Sequence, residues 1–290
     1  MQLPPRSSPR SATAQGAPAA GSAAATRLPA EALALDRERA ALVFAAPRGL
    51  RQTFAAALVF NAQLARACEE AGEDMVALVR LAFWREAMER ALEGGDAGRP
   101  EVAALFAGPG GRRTAAAFAP AIAAREGFVE ARGFPDVAAY RAFAEATSGA
   151  LHALLAQLAG RPAEVVEAAR AAGTAYGVAG LLRSSRAYAR RGAVLVPEEL
   201  VPPWRVLARA GGVAVPEVAR AVRRLLEALP QPEIAPHLAR DPLVAVPLRL
   251  AVRSRRQLER TGFDPFAPRV GPLPFALLDL LPRLLRRPVR

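Results

Sequence analysis

The acidic cluster Glu69, Glu70, Glu73 and Asp74 and the arginine series Arg183, Arg186 and Arg190 are the residues whose types and spacing can do chemistry. Glu69 with Glu73, and Glu70 with Asp74, stand four apart, as paired carboxylates for a hard divalent cation do on one helix face. Gly72 lies among them, and a solvated acidic turn has the same composition. The three arginines fall three and four apart. Guanidinium forks match phosphate oxygens, so this edge is read as a site for a diphosphate or phospholipid; the competing account is a solvated helix end favoured by the helix dipole. Arg80 and Trp84, four apart, can stack guanidinium on indole and hold a lipid headgroup or partner, or form a buried structural pair. Arg51 joins Arg80, Arg183, Arg186 and Arg190 as a candidate for binding substrate or phosphate. Cys68 is the single cysteine, in an apolar row, so it is a core thiol outside any disulfide or zinc-ligand cluster. His152 and His237 lie in unrelated segments and give no triad or His-rich metal site. His152 flanks an apolar face and is expected to be a satisfied core histidine.

The elements that must position these groups are helices. In 51–69, Phe54, Leu58, Ala62 and Ala65 form one row and Phe60, Leu64 and Cys68 a second, which predicts burial on more than one side. Gly72 separates this helix from another starting near Met75. There Met75, Leu78, Val79, Ala82 and Phe83 are read as the core face, with Arg85–Glu89 and Glu86–Arg90 as ion pairs. Phe118, Ile122, Phe128 and Val129 mark an inward face in 115–133. Over Asp136 to Leu158, helical spacing runs through Val137, Tyr140, Phe143, Thr147, Leu151 and Leu154, and Gly149 permits close approach of another backbone. The small residues between Ala171 and Gly180 suit a helix packed tightly or lining a cavity. Val194 to Pro197 reads as an extended strap. Two or three helices follow between Pro202 and Arg260, broken at Pro230, Pro232, Pro236 and Pro242.

Composition agrees. The chain has 290 residues, 69 of them Ala, and few β-branched alternations, so the expected fold is all-α. All 39 basic residues are Arg, which points to a GC-rich genome, and the net charge is +12. The arginines are dispersed and the aromatics few, with no helix-turn-helix, RRM-like or zinc-finger pattern, so nucleic acid is not an expected partner. The longest apolar runs fall short of about 18 residues, so no transmembrane helix is predicted. Residues 1–30 hold Pro, Ser, Ala, Gly and three Arg with no acid, and are read as a disordered tail before a helical domain at 31–290. A transit peptide has a similar composition, but no amphipathic apolar face or secretory h-region is present. At the other end, Leu277, Leu278, Leu281, Leu284 and Leu285 oppose Arg283, Arg286, Arg287 and Arg290, a segment able to lie in a membrane interface or dock on the protein's own core.

The segments LVFNAQLARACEE, RLAFWREAM, YRAFAEATSGALHALL, AYGVAGLLRSSRAYARRGAVLVPEEL and GFDPF (262–266) come in an order that resembles the squalene/phytoene synthase family over roughly residues 36–285. The resemblance implies an isoprenoid-synthase-like helical bundle around a central cavity, here with an Ala/Gly-rich helix from Ala171 to Leu182 in its apolar wall. Phe60, Asn61, Trp84, Gly177, Gly180 and Tyr188 are the expected lining residues.

Members of the family join prenyl diphosphates head to head with Mg²⁺ held by two facing aspartate-rich motifs. The first motif should fall at 65–69, where the chain reads Ala65, Arg66, Ala67, Cys68, Glu69. The second should fall at Ser184 and Tyr188, in a stretch without acid from Glu167 to Glu198. Glu69 alone keeps a carboxylate, and Arg66 and Arg186 bring cations near, so no catalytic or metal residues and no cofactor are expected. The complex I assembly factor subgroup shows the same erosion, and Phe60–Asn61 and the FWRE of Phe83–Glu86 are similar to it. The resemblance therefore implies a non-catalytic protein, an assembly or lipid-associated factor for a membrane respiratory complex. Its partners would be a protein client or an anionic or prenyl lipid, and its place the cytoplasm, peripheral on the inner membrane. The alternative is an active head-to-head prenyl diphosphate synthase, a Mg²⁺-dependent transferase of terpenoid biosynthesis.

Overall fold

The computed structural model describes residues 27–106, 110–210 and 216–273, and among them every regular element is helical. The N-terminal tail before Arg27 and the leucine/arginine segment after Leu273 lie outside the described residues. The order is α1 (Leu28–Leu35), α2 (Ala41–Ala45), α3 (Arg51–Glu69), α4 (Asp74–Leu92), α5 (Pro100–Phe106) and α6 (Gly111–Ala131). Then come α7 (Val137–Ala144), a π-turn (Glu145–Gly149), α8 (Ala150–Leu158), α9 (Ala163–Arg183), α10 (Ser185–Ala189), α11 (Pro203–Ala210), α12 (Pro216–Ala228) and α13 (Pro242–Arg260). Helix α1 opens inside the stretch read as tail, with a proline in its first turn, and buries Leu28 and Ala32.

Helix α3 is the axis. Every residue from Phe54 to Ala62 is buried, as its two apolar rows predict, because α1, α5, α4 and α6 surround it. Helix α4 docks by a face other than the expected one. It buries Ala77, Leu81, Trp84, Ala87 and Met88, while Met75 and Val79 are 67% and 62% exposed and Phe83 44%. The helix is apolar on two sides, and periodicity alone does not choose between them. Trp84 does, by setting its ring edge-on against Phe60 at 5.5 Å and receiving the Arg99 guanidinium 4.8 Å from its centroid. The expected partner, Arg80, faces solvent. Of the ion pairs read on this helix, Glu86–Arg90 forms at 3.6 Å, whereas Arg85 crosses to Glu126 of α6.

Asp136 caps α7 by accepting from the Ala139 N–H at 2.7 Å. The long helix read over Asp136 to Leu158 forms from Val137, with the π-turn at its centre. Helix α9 packs along it at a separation only glycine permits. A Cβ on Gly173 would lie 2.5 Å from His152 Nδ1, and one on Gly177 would lie 2.8 Å from Ser148 Cβ. Gly149 is equally tight, its added Cβ meeting Thr174 Oγ1 at 2.4 Å. The strap is extended as read, pinned where Val194 N–H donates to Arg132 O and Glu198 N–H to Phe134 O, both at 2.9 Å. Pro242 opens α13 behind the Asp241 cap rather than breaking a helix.

Candidate functional site

The central cavity, about 430 Å³, lies between the turn 34–39, the C-terminal half of α3, the π-turn, α9 and the segment Gly271–Pro272. The helix from Ala171 to Leu182 does wall it, through Tyr176, Gly177, Gly180 and Leu181. It is not the apolar pocket expected: five arginines and three acids line it.

Two of the acids are already engaged. Asp36 Oδ2 accepts from Arg39 Nε at 2.6 Å, and both side chains are buried. The Glu38 carboxylate accepts from both terminal nitrogens of Arg183 at 2.8 Å, from Tyr176 Oη at 2.7 Å and from the Leu273 N–H at 2.7 Å. Burial alone raises the Glu38 pKa, but Arg183, Leu273 and Tyr176 together outweigh it and hold the group below the usual carboxylate range. Arg39 and Arg183 also stand over the Tyr176 ring, 5.4 and 5.8 Å from its centroid.

The third acid, Glu69, is the last position of the first stretch where the resemblance places metal ligands. Ala65, Arg66 and Glu69 line the cavity from α3, and Ser184 and Tyr188 face them. Burial pushes the Glu69 carboxyl up, opposed by the Arg125 charge and a hydrogen bond with Ser184. Tyr188 is 5% exposed, edge-on to Phe128 at 5.3 Å, and burial together with the Glu69 charge raises its phenol well above the usual value. Cys68 behind them is buried, its thiol pushed up to about 11.

Beneath these groups lies Arg125. It is 5% exposed, donates to Asn61 Oδ1 at 3.1 Å and to Ala121 O of its own helix at 2.9 Å, and among the described residues forms no ion pair. Burial lowers its pKa. A buried guanidinium whose hydrogen bonds go to an amide and a main-chain carbonyl, with Glu69 as the carboxylate whose charge acts on it, brings positive charge to the cavity wall.

A cluster of Mg²⁺ ions needs several unengaged oxygen ligands. Asp36 and Glu38 are held by arginines, Glu69 stands singly, and among the described residues no three His, Cys, Asp or Glu side chains converge. The residues present do not fit that metal group.

Of the candidates read from the sequence, Asn61, Gly177, Gly180, Tyr188 and Arg183 line the cavity. Phe60 and Trp84 do not: Phe60 is clamped between Trp84 and Phe118, and both belong to the core. The arginine edge splits, because the turn between α9 and α10 breaks the helix that would have aligned it. Arg183 turns inward, Arg186 reaches Phe266 O of the 262–266 loop, and Arg190 faces solvent. Arg51 and Arg80 are exposed outside the cavity. His152 is buried in the core as expected but only half satisfied: Nδ1 lies 2.8 Å from Ser148 O, while Nε2 has no hydrogen-bond partner among the described residues. Sequence reasoning missed Asp36, Glu38, Arg39, Tyr176 and Arg125. Arg125 had a visible signal: it falls in register with Phe118, Ile122 and Val129, an arginine within an apolar stripe.

A family model described as squalene/phytoene synthase matches residues 34–277. Among solved structures, squalene synthase HpnC from Alicyclobacillus acidocaldarius superposes with a TM-score of 0.61 at 19% identity, covering 86% of this chain and 98% of that one. That likeness gives the chain the isoprenoid-synthase-like helical fold. No curated protein matches the chain.

Proposed function

Because the chain belongs to the squalene/phytoene synthase family, we propose that it is a non-catalytic member whose cavity holds the phosphate group of a prenyl or other lipid without metal. In this reading it serves as an assembly or lipid-associated factor for a membrane respiratory complex, peripheral on the inner face of the membrane. The observation that carries the proposal is the charge at the cavity floor: one carboxylate, Glu69, faces Ser184 and Tyr188, above the buried Arg125, which forms no ion pair among the described residues. Carboxylates that hold Mg²⁺ would bring its Lewis acidity to the oxygens of an allylic diphosphate. A guanidinium floor binds the same oxygens but presents no cluster to carry the departing diphosphate.

The assembly-factor part of the reading rests on the loss of carboxylates. The Phe60–Asn61 pair and the single-tryptophan FWRE that first pointed to that subgroup are explained in good part by packing, since Phe60 and Trp84 touch each other in the core. A head-to-head synthase is the second reading, favoured by a cavity that stays open at about 430 Å³ although its acids are exchanged.

The test is to incubate the purified protein with farnesyl or geranylgeranyl diphosphate and Mg²⁺ and to follow diphosphate release and hydrocarbon product. No turnover is expected. In chelator, a prenyl diphosphate should still bind, and Arg125→Met should weaken it about tenfold or more, since a charge-assisted bond contributes about 1.5–3 kcal/mol. Tight stoichiometric Mg²⁺ uptake abolished by Glu69→Ala, with condensed product, would restore the synthase reading.

A further inference from the structure

We propose that the exposed face of α4 formed by Met75, Val76, Val79 and Phe83 is a membrane-docking surface that seats in the headgroup region of an anionic bilayer. The four side chains are 67%, 40%, 62% and 44% exposed. At 100° per residue they fall within an arc of about 100° over some 12 Å of helix. The buried face of α4, running through Ala77, Leu81, Trp84 and Met88, is the one packed on α3 and α6, so this second apolar face has no role in the core. It ends where Glu86 and Arg90 occupy the same arc and pair with each other.

The charge around it selects the partner. Of the acids at the start of the helix, Asp74 pairs with Arg132 at 2.5 Å and Arg191 at 3.5 Å and Glu70 with Arg66 at 2.6 Å, while Glu73 stays exposed beside them. Exposed Arg80 flanks the arc, and Arg190 faces solvent beside Arg191. Helix α11 packs on α10 beyond those arginines and exposes Trp204, 64% accessible, with the Arg205 guanidinium 4.7 Å over its ring. Apolar side chains on a helix face flanked by exposed arginine are what an anionic interface takes up. A second copy of the chain is disfavoured, since it would bring together two molecules of net charge +12.

The inference rests on the peripheral-membrane part of the proposed function and supplies its surface. Its test uses the full chain with phosphatidylcholine vesicles prepared with and without phosphatidylglycerol. Co-sedimentation with the anionic vesicles is expected, reversed by high salt and reduced about tenfold or more in V79E/F83E. The milder Met75→Ser/Val79→Ser should show a smaller loss. Met75→Ser/Val79→Ser should keep the parental Tm, because Met75 and Val79 are mostly exposed, and circular dichroism checks that V79E/F83E, whose Phe83 also packs edge-on to Trp84 at 5.3 Å, stays folded. Equal vesicle binding by V79E/F83E and the parent overturns this inference and leaves membrane association to another segment. Failure of the parent to bind either vesicle overturns both this inference and the membrane location, while the Arg125 experiment still decides the cavity reading. A parent that is dimeric where V79E/F83E is monomeric makes a second copy the occupant and overturns it too.

Discussion

His152 is the residue whose environment can be read most directly in solution. Its Nδ1–H donates to Ser148 O, its Nε2 has no partner among the described residues, and burial, with the Arg39 charge second, lowers its pKa to about 3. The folded protein therefore keeps the ring neutral while the unfolded chain protonates it near 6.5. Stability from this group is complete above pH 6.5 and lost as pH falls from 6.5 toward 3, at about 1.4 kcal/mol per unit. His152→Leu should flatten the urea-measured stability difference between pH 7 and pH 5 by up to about 2 kcal/mol, whatever it does to absolute stability. An unchanged slope would mean the ring is not held neutral. At this scale the sequence was partly legible. Asn61 and Tyr188 could be placed in the cavity wall because the resemblance covers them. Glu38 could not, since nothing in the turn 36–39 forecasts that its partners are Tyr176, Arg183 and the backbone of Leu273.

Between elements, the close packing of α9 against α7, the π-turn and α8 was legible, and the docking face of α4 was not. The first rests on small residues, which have one packing consequence. The second needed the positions of Phe60 and Arg99, which helical periodicity does not contain. The packing makes a contrasting pair of predictions. Gly173→Ala would drive a Cβ into the His152 side chain, 2.5 Å from Nδ1, 2.8 Å from Cγ and 2.9 Å from Cβ, so turning the ring alone does not relieve the clash. Overpacking of this kind costs about 1–3 kcal/mol, partly offset by the roughly 1 kcal/mol better helix propensity of Ala, so a net loss is expected. Gly180→Ala meets nothing nearer than Arg183 Nη2 at 3.8 Å. It should be neutral or stabilising by up to about 1 kcal/mol. Denaturation midpoints check both, and a stabilising Gly173→Ala would contradict the described approach of α9.

Across the whole molecule, the all-helical architecture followed from alanine content and period, while the charged lining of its cavity did not. The cavity walls come from segments far apart in sequence, and the Glu38 carboxylate joins three of them. It holds Tyr176 and Arg183 of α9 and, 235 residues away, the Leu273 N–H, while Arg183 also donates to Gly271 O at 3.0 Å. The side chains of Glu38 and Arg183 are only 9% and 7% exposed. Removing one member of such a pair leaves the other buried and uncompensated, at a cost of about 3–5 kcal/mol, whereas replacing both with apolar groups costs far less. Glu38→Ala should therefore be severely destabilising and should speed amide exchange at Leu273, whose hydrogen bond it removes. Arg183→Met added to Glu38→Ala should recover stability relative to Glu38→Ala alone, giving a double-mutant coupling of about 1–3 kcal/mol. The same link predicts acid sensitivity. The Glu38 pKa is lowered in the folded state, so its contribution is complete above about pH 4.5 and lost as pH falls through the folded value. In the parent, exchange at Leu273 should rise in that acid range, and in Glu38→Gln it should already be fast at neutral pH. Additive effects of the two substitutions would show that Glu38 and Arg183 do not act together to hold the 271–273 segment across the cavity.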